Sequence, residues 1–182
     1  MEAIARLEES SLVAALRAGD ADAFNGIIEH YQTPIFRYLF RLTGDYELAR
    51  DLAQDTFLQA YKAILKTDAE LHLKAWLYRI ATNNALQYRR RKRLLAFILF
   101  EDWRKTSPES VKTSFVPDAE GVQQALQKVS VEYRVCLVLH FVEGFKYEEI
   151  GRTLGISEEA VRKRVARGKQ AFRRMFRGGE EG

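Results

Sequence analysis

Apolar residues recur three and four positions apart along almost the whole chain, and strict alternation is almost absent, so the elements are helices. A short helix is expected at about 10–18, closed by Gly19. Asp20 can cap the next segment, whose apolar residues are Phe24, Ile27, Ile28 and Tyr31. Pro34 stands where a new helix can start; Ile35, Phe36, Leu39, Phe40 and Leu42 follow before Gly44 ends it. Asp45 caps a long helix to about Lys66, TDAELH (67–72) is a loop, and another helix runs from about Leu73 to at least Arg93. LLAFILF (94–100) is too apolar for a free linker and is expected to prolong that helix and pack on something. Residues 101–121 hold two of the three prolines, Pro108 and Pro117, with polar TSPES at the first of them. Helices then fall at about 118–128, 131–142, 146–154 and 157–176. The expected fold is all-α: two helical domains, 1–93 and 118–177, joined by a linker at 94–117, with an acidic, glycine-containing tail at 178–182. No repeat or low-complexity tract interrupts this plan.

The 182 residues are 47% hydrophobic, ample for real cores and far from the composition of a disordered chain. One cysteine, Cys136, excludes an internal disulfide and a multi-cysteine zinc site; within VCLVLHFV it is expected to be core. His30, His72 and His140 lack metal-ligand spacing. No stretch approaches the roughly 18 apolar residues of a membrane span, and the acidic N-terminus shows no signal peptide, so a soluble, cytoplasmic protein is expected.

Charge is distributed unevenly around the net +4. Residues 1–85 carry 9 basic and 12 acidic side chains, whereas 86–105 carry 7 and 2, mostly from the run Arg89, Arg90, Arg91, Lys92, Arg93. A second basic block, 157–177, has 8 against 2. Two basic blocks in an otherwise mildly acidic chain suggest two contact zones for a polyanion, although each could also be a solvated helix end.

The second block belongs to a helix-turn-helix pattern, KYEEIGRTLGISEEAVRKRVARGKQAF (146–172). Ile150, Leu154, Ile156 and Val161 can pin two short helices across a turn, Gly151 is small where they approach, and Gly155 can take positive φ. Ser157 is a good N-cap, and Glu158 and Glu159 suit the positive end of the second helix. Val161, Val165, Gly168 and Phe172 make one buried stripe, with Gly168 a packing site against preceding helices. Arg162, Lys163, Ala166, Arg167 and Gln170 are left facing outward. Arginines at successive turns can enter a major groove and meet guanine edges and phosphates.

In the first half, Leu48, Leu52, Phe57, Ala60, Tyr61 and Ile64 are the expected core of the helix from residue 45. Asp51, Gln54, Asp55 and Leu58 share another face, suited to a basic partner. The next segment, LKAWLYRIATNNALQYRRRKR (73–93), mixes aromatics that can stack bases, amides that can read edges, and arginines that can hold phosphates.

DLAQDTFLQAYKA (51–63), WLYRIATNNA (76–85) with its basic run, a linker and a C-terminal helix-turn-helix, in that order, resemble a bacterial RNA polymerase sigma factor of the sigma-70 family. The resemblance is to the extracytoplasmic-function (ECF) type, which keeps only regions 2 and 4, and covers nearly all of 20–177. It implies that 1–93 is region 2, binding core polymerase and the −10 element, and that 118–177 is region 4, binding the −35 element. By the same likeness Asp51, Gln54, Asp55 and Leu58 dock on the polymerase clamp helices. Lys74, Trp76, Arg79, Asn83, Asn84, Arg89, Arg90 and Arg91 match the −10 contacts, where flipped bases are captured. Arg162, Lys163, Ala166 and Arg167 match the helix face that reads the −35 element, and helices 118–142 the surface near the flap tip. Core polymerase, promoter DNA and an anti-sigma factor are the partners implied; no cofactor or metal is. Loop KTDAELHL lacks the glycine and phenylalanine often found there, so no base preference carries over.

No GxSxG, HExxH, P-loop or GxGxxG string occurs, so catalysis has no motif behind it. Two rivals to a sigma factor are a helix-turn-helix regulator that binds duplex DNA without polymerase, and a helical enzyme using Asp51 and Asp55. The second lacks a histidine or metal partner for its carboxylates.

Overall fold

The computed structural model describes residues 2–67, 72–98 and 117–177, and every element among them is an α-helix. In order they are α1 (Glu2–Arg17), α2 (Ala23–Thr43), α3 (Tyr46–Ile64), α4 (Leu73–Ile98), α5 (Pro117–Lys128), α6 (Val131–Phe141), α7 (Tyr147–Leu154) and α8 (Glu158–Arg177). Helices α1 to α4 form one bundle centred on α2; α5 to α8 form a second, in which α8 packs on the other three. The bundles meet where α5 and α6 rest on α2 and where α7 rests on α4.

Sequence and structure part company at Pro34. It begins no helix but lies inside α2. A proline there donates no N–H and crowds the carbonyl of His30, a local cost of about 3 kcal/mol. Burial on both sides outweighs it: Ile27, Tyr31, Ile35, Tyr38, Leu39 and Leu42 are all in the core, and breaking the helix would expose one set or the other. Asp20 likewise does not cap α2; its carboxylate accepts the N–H of Asp22 in the preceding turn.

The other boundaries follow local chemistry. Gly44 ends α2 at φ 74°, giving its N–H to the carbonyl of Phe40, and Asp45 then caps α3 by accepting the N–H of Leu48 at 3.0 Å. Arg17 at the end of α1 reaches the carbonyl of Thr67 at 2.9 Å and ties α1 to the end of α3. Helix α4 continues to Ile98, so the start of LLAFILF does prolong it; the rest of that segment and the linker lie outside the described residues.

Candidate nucleic-acid interface

The helix-turn-helix consists of α7, Gly155 and α8. Gly155 takes φ 67° and closes α7 by donating to the carbonyl of Gly151. A Cβ on Gly151 would stand 2.8 Å from the backbone oxygen of Ile156, so only glycine permits this approach. Ser157 Oγ accepts the N–H of Ala160, an N-cap bond at 3.2 Å. Val161, Val165 and Gly168 are buried, and a Cβ on Gly168 would meet Leu137 at 3.0 Å and Tyr133 at 3.1 Å.

That packing leaves Arg162, Lys163, Ala166, Arg167 and Gln170 exposed along one side of α8. Arg162 pairs with Glu158 at 2.9 Å and Lys163 with Glu159 at 2.7 Å, each one turn back. Such exposed pairs are worth only about 0.3–0.5 kcal/mol, so a phosphate can replace either glutamate at little cost. Arg167 has no ion-pair partner among the described residues.

Helix α4 carries a second face. Leu73, Leu77, Tyr78, Ala81, Thr82 and Ala85 turn inward, which leaves Trp76, Arg79, Asn83 and Arg90 in one stripe on the opposite side. Trp76 is half-buried and the other three are exposed. Four residues expected with them, Lys74, Asn84, Arg89 and Arg91, do not share that stripe. Asn84 is buried: its Oδ1 accepts from Gln59 at 3.0 Å and its Nδ2 donates to Thr56 at 3.3 Å, so its amide ties α4 to α3. Lys74 donates to the backbone carbonyl of Glu143 at 2.9 Å and lies over the Phe145 ring. Arg89 is exposed on another side of α4; its charge acts on Arg134, and its own pKa is lowered by desolvation and then by Arg93. Arg91 is exposed near the end of the described side chains of α4.

A third surface lies on α3. Asp51, Gln54, Asp55 and Leu58 are all exposed, Leu58 by 58%. Gln54 and Leu58 also line an apolar cleft of about 720 Å³ between α2 and α3, with Phe24, Ile28, Phe36, Tyr46 and Tyr61 among its other walls. Tyr61 has the spacing of a core residue, yet it is half-exposed and lies edge-on to Phe24 at 5.1 Å, forming a wall of the cleft. The exposed carboxylates of Asp51 and Asp55 on α3 suit a basic partner, and the apolar groove beside Gln54 and Leu58 suits an apolar one.

Arg134 stands out only in the folded chain. It is buried in α6, where its guanidinium donates to the carbonyls of Leu42, Gln127 and Val129 and to the side chain of Gln127. Burial pushes its pKa down to about 10, which leaves it charged at neutral pH. The one signal for it in the sequence is a single cation inside the apolar run YRVCLVL. Cys136, beside it, is buried, and that burial pushes its thiol up to about 11, so it is protonated at neutral pH.

Fold and surfaces together define a helical transcription protein with one helix-turn-helix and a second polar, aromatic and basic helix face. The family model for Sigma-70 region 2 matches residues 27–94, and that for Sigma-70 region 4 matches 119–172. The chain is 30% identical over 178 residues to the ECF RNA polymerase sigma factor SigW of Bacillus subtilis, covering 91% of this chain and 95% of that one. It is 31% identical over 169 residues to SigM of Mycobacterium tuberculosis, covering 92% and 84%. The fold is similar to that of the sigma factor RpoE of Bartonella quintana, solved with the anti-sigma factor NepR (TM-score 0.71, 22% identity, 86% of this chain and 98% of that one). It is also similar to CnrH, solved with the cytosolic domain of CnrY (TM-score 0.70, 22% identity, 94% and 98%). The chain belongs to the ECF group of the sigma-70 family and is an RNA polymerase sigma factor.

Proposed function

We propose that this sigma factor divides its work among the three surfaces. The Asp51, Gln54, Asp55 and Leu58 face of α3, with the adjoining cleft, docks on the clamp helices of core polymerase. Trp76, Arg79, Asn83 and Arg90 on α4 hold the opened −10 strand, with Arg91 as a further phosphate contact. Lys74 joins that surface only when its bond to Glu143 is released, Arg89 adds a phosphate contact at its edge, and Asn84 acts by holding α4 on α3. Arg162, Lys163, Ala166 and Arg167 read the −35 duplex, and α5 and α6 face the flap tip. The protein acts in the cytoplasm, where core polymerase is, and performs no chemistry of its own. An anti-sigma factor is a further partner, since RpoE was solved bound to one and CnrH bound to the cytosolic domain of CnrY.

The observation that carries this reading is the separation of the three faces. Each is exposed, each has a different chemistry, and the core explains none of them. Run-off transcription with purified core polymerase on genomic DNA tests the whole scheme, because a plain repressor would start no transcripts. Asp51→Lys with Asp55→Lys tests the docking face. Both side chains are exposed, so helicity is expected to stay unchanged while binding to core polymerase weakens at least tenfold. Parental affinity in the double variant would move docking to another surface.

A further inference from the structure

The outward side of α8 has a centre and two flanks. Val161, Val165 and Gly168 fix the buried direction. At about 100° per residue, Glu159, Lys163 and Gln170 fall within about 30° of the direction opposite to it, and Ala166 and Arg167 lie about 50° to either side. Arg162 stands about 90° away. It lies on the flank next to α7, where its guanidinium pairs with Glu158 and sits 5.9 Å from the centre of the Tyr147 ring. Glu159 is therefore at the leading end of the reading face, exposed, with its Oε1 2.7 Å from Lys163 Nζ. Residues 157–177 hold 8 basic side chains and only 2 acidic ones, Glu158 and Glu159. Glu158 already supplies an acid to the first turn of the helix. A second carboxylate, aimed outward, is repelled by every phosphate of a duplex and weakens binding unless it meets a donor.

We propose that Glu159 is a specificity-determining residue of the −35 contact. Its carboxylate accepts the N4 amino group of a cytosine in the major groove, while Lys163, bonded to it, donates to the guanine of the same base pair. The inference rests on the −35 role proposed above for α8. Residues at the N-terminal end of a recognition helix are the ones that reach base edges. In the major groove only cytosine and adenine present a donor; guanine and thymine offer acceptors. Lys163 and Arg167 can only donate and Ala166 does neither, so the acceptors on this face are Glu159 and the amide of Gln170. Gln170 lies about 16 Å further along the helix, too far to share a base pair with Glu159. A C·G pair sets the cytosine donor beside the guanine O6 acceptor, and the Glu159–Lys163 pair mirrors that pattern with acceptor and donor 2.7 Å apart. Adenine sets its donor beside its own N7 acceptor, a pattern that one amide matches and a carboxylate does not. Opposite guanine or thymine the carboxylate faces an acceptor and repels it. A phosphate satisfies Lys163 alone, whereas a C·G pair satisfies both partners.

Holoenzyme assembled from the full chain and core polymerase, bound to a promoter library randomised over the −35 element and then sequenced, tests the assignment. The parent should favour cytosine at one position by about tenfold. Glu159→Ala should flatten that position to within about twofold. It should also strengthen binding to the library as a whole, since a charge opposed to the phosphates is gone. Glu159→Gln, whose amide both accepts and donates, should keep cytosine and admit adenine at that position to within about threefold. Glu159 is exposed, so helicity is expected to stay unchanged in both variants. An alanine variant that keeps the parent's preferences at every position, or that loses preference for a base other than cytosine, overturns the assignment. A glutamine variant with the profile of the alanine one also overturns it, because Glu159 would then act only by orienting Lys163. A parent holoenzyme with no preference anywhere in the −35 element sinks the proposed role of α8 instead, which separates the two failures.

Discussion

Asn83 and Asn84 are chemically identical neighbours with opposite environments. Asn83 is exposed on the outward stripe of α4, while Asn84 is buried and bonded to Gln59 and Thr56. Alanine at 84 should leave Thr56 and Gln59 short of a partner and cost about 1–3 kcal/mol of stability. Alanine at 83 removes an exposed amide and should change stability by less than about 0.5 kcal/mol. Its effect should appear with core polymerase present, as weaker permanganate reactivity of unpaired thymines near −10 and little change in closed-complex formation. Urea midpoints and permanganate footprints of both variants check this. If the two effects were exchanged, α4 would have to face the other way. One residue of sequence, about 100° of helix, separates a structural amide from a DNA-facing one. That distinction needs the packing partner and is not legible in the string TNNA.

The recognition helix shows what an element adds to its residues. Its inner stripe is fixed by Val161, Val165 and Gly168, so the outward residues have one orientation, whatever each would prefer alone. Arg167→Ala should cost about 1–3 kcal/mol of binding to the cognate promoter and relax preference at one −35 position, if the side chain makes a bidentate base contact. A uniform loss across DNA sequences, with a shallower salt dependence, would make Arg167 a phosphate anchor instead. Competition binding on a randomised −35 library separates the two. Elements of this kind are legible in the amino-acid sequence because their signals are local. The caps Asp45 and Ser157, the turn glycines Gly44 and Gly155, and the close approach at Gly151 each involve only a few neighbouring residues. Helix α2 escapes that kind of reading at Pro34, because its continuity comes from burial against other helices, which no local pattern encodes. The bundle junction is hidden from the sequence for the same reason. Arg134 and Leu42, or Tyr78 and Glu143, meet across a long interval of chain, and only the folded molecule brings them together.

Across the whole molecule, one ionisable chain of contacts runs through both bundles. Tyr38 and Thr82 share a hydrogen bond at 2.6 Å, Tyr38 stacks edge-on to Tyr78, and Tyr78 donates to Glu143 in the second bundle. Burial raises the pKa of Tyr38 and of Tyr78 far above the ordinary phenol value; the Glu143 carboxylate raises Tyr78 further. Tyr31 is raised too, by burial and then by its bond to Glu9. For an acid whose folded pKa lies above its unfolded value, the neutral form is the one the fold favours. These phenols therefore contribute their full stability below about pH 10, the unfolded value, and lose it progressively as pH rises beyond that. Arg134 runs the other way: burial lowers its pKa to about 10, so rising pH relieves the cost of its buried charge. Three phenols and the buried Cys136 thiol oppose one guanidinium that is already held by four acceptors, so the net change should be a loss. The urea midpoint is expected to be flat from about pH 7 to 8, to begin falling near about pH 9 as the Cys136 thiol contributes, and to fall more steeply from about pH 10 upward. Tyr78→Phe keeps the ring against Phe145 but removes the titrating hydroxyl. Its midpoint should start lower at about pH 8, because the Glu143 bond is gone, and then fall less steeply above about pH 10 than that of the parent. Parallel slopes in parent and variant would mean that Tyr78 does not carry the alkaline transition.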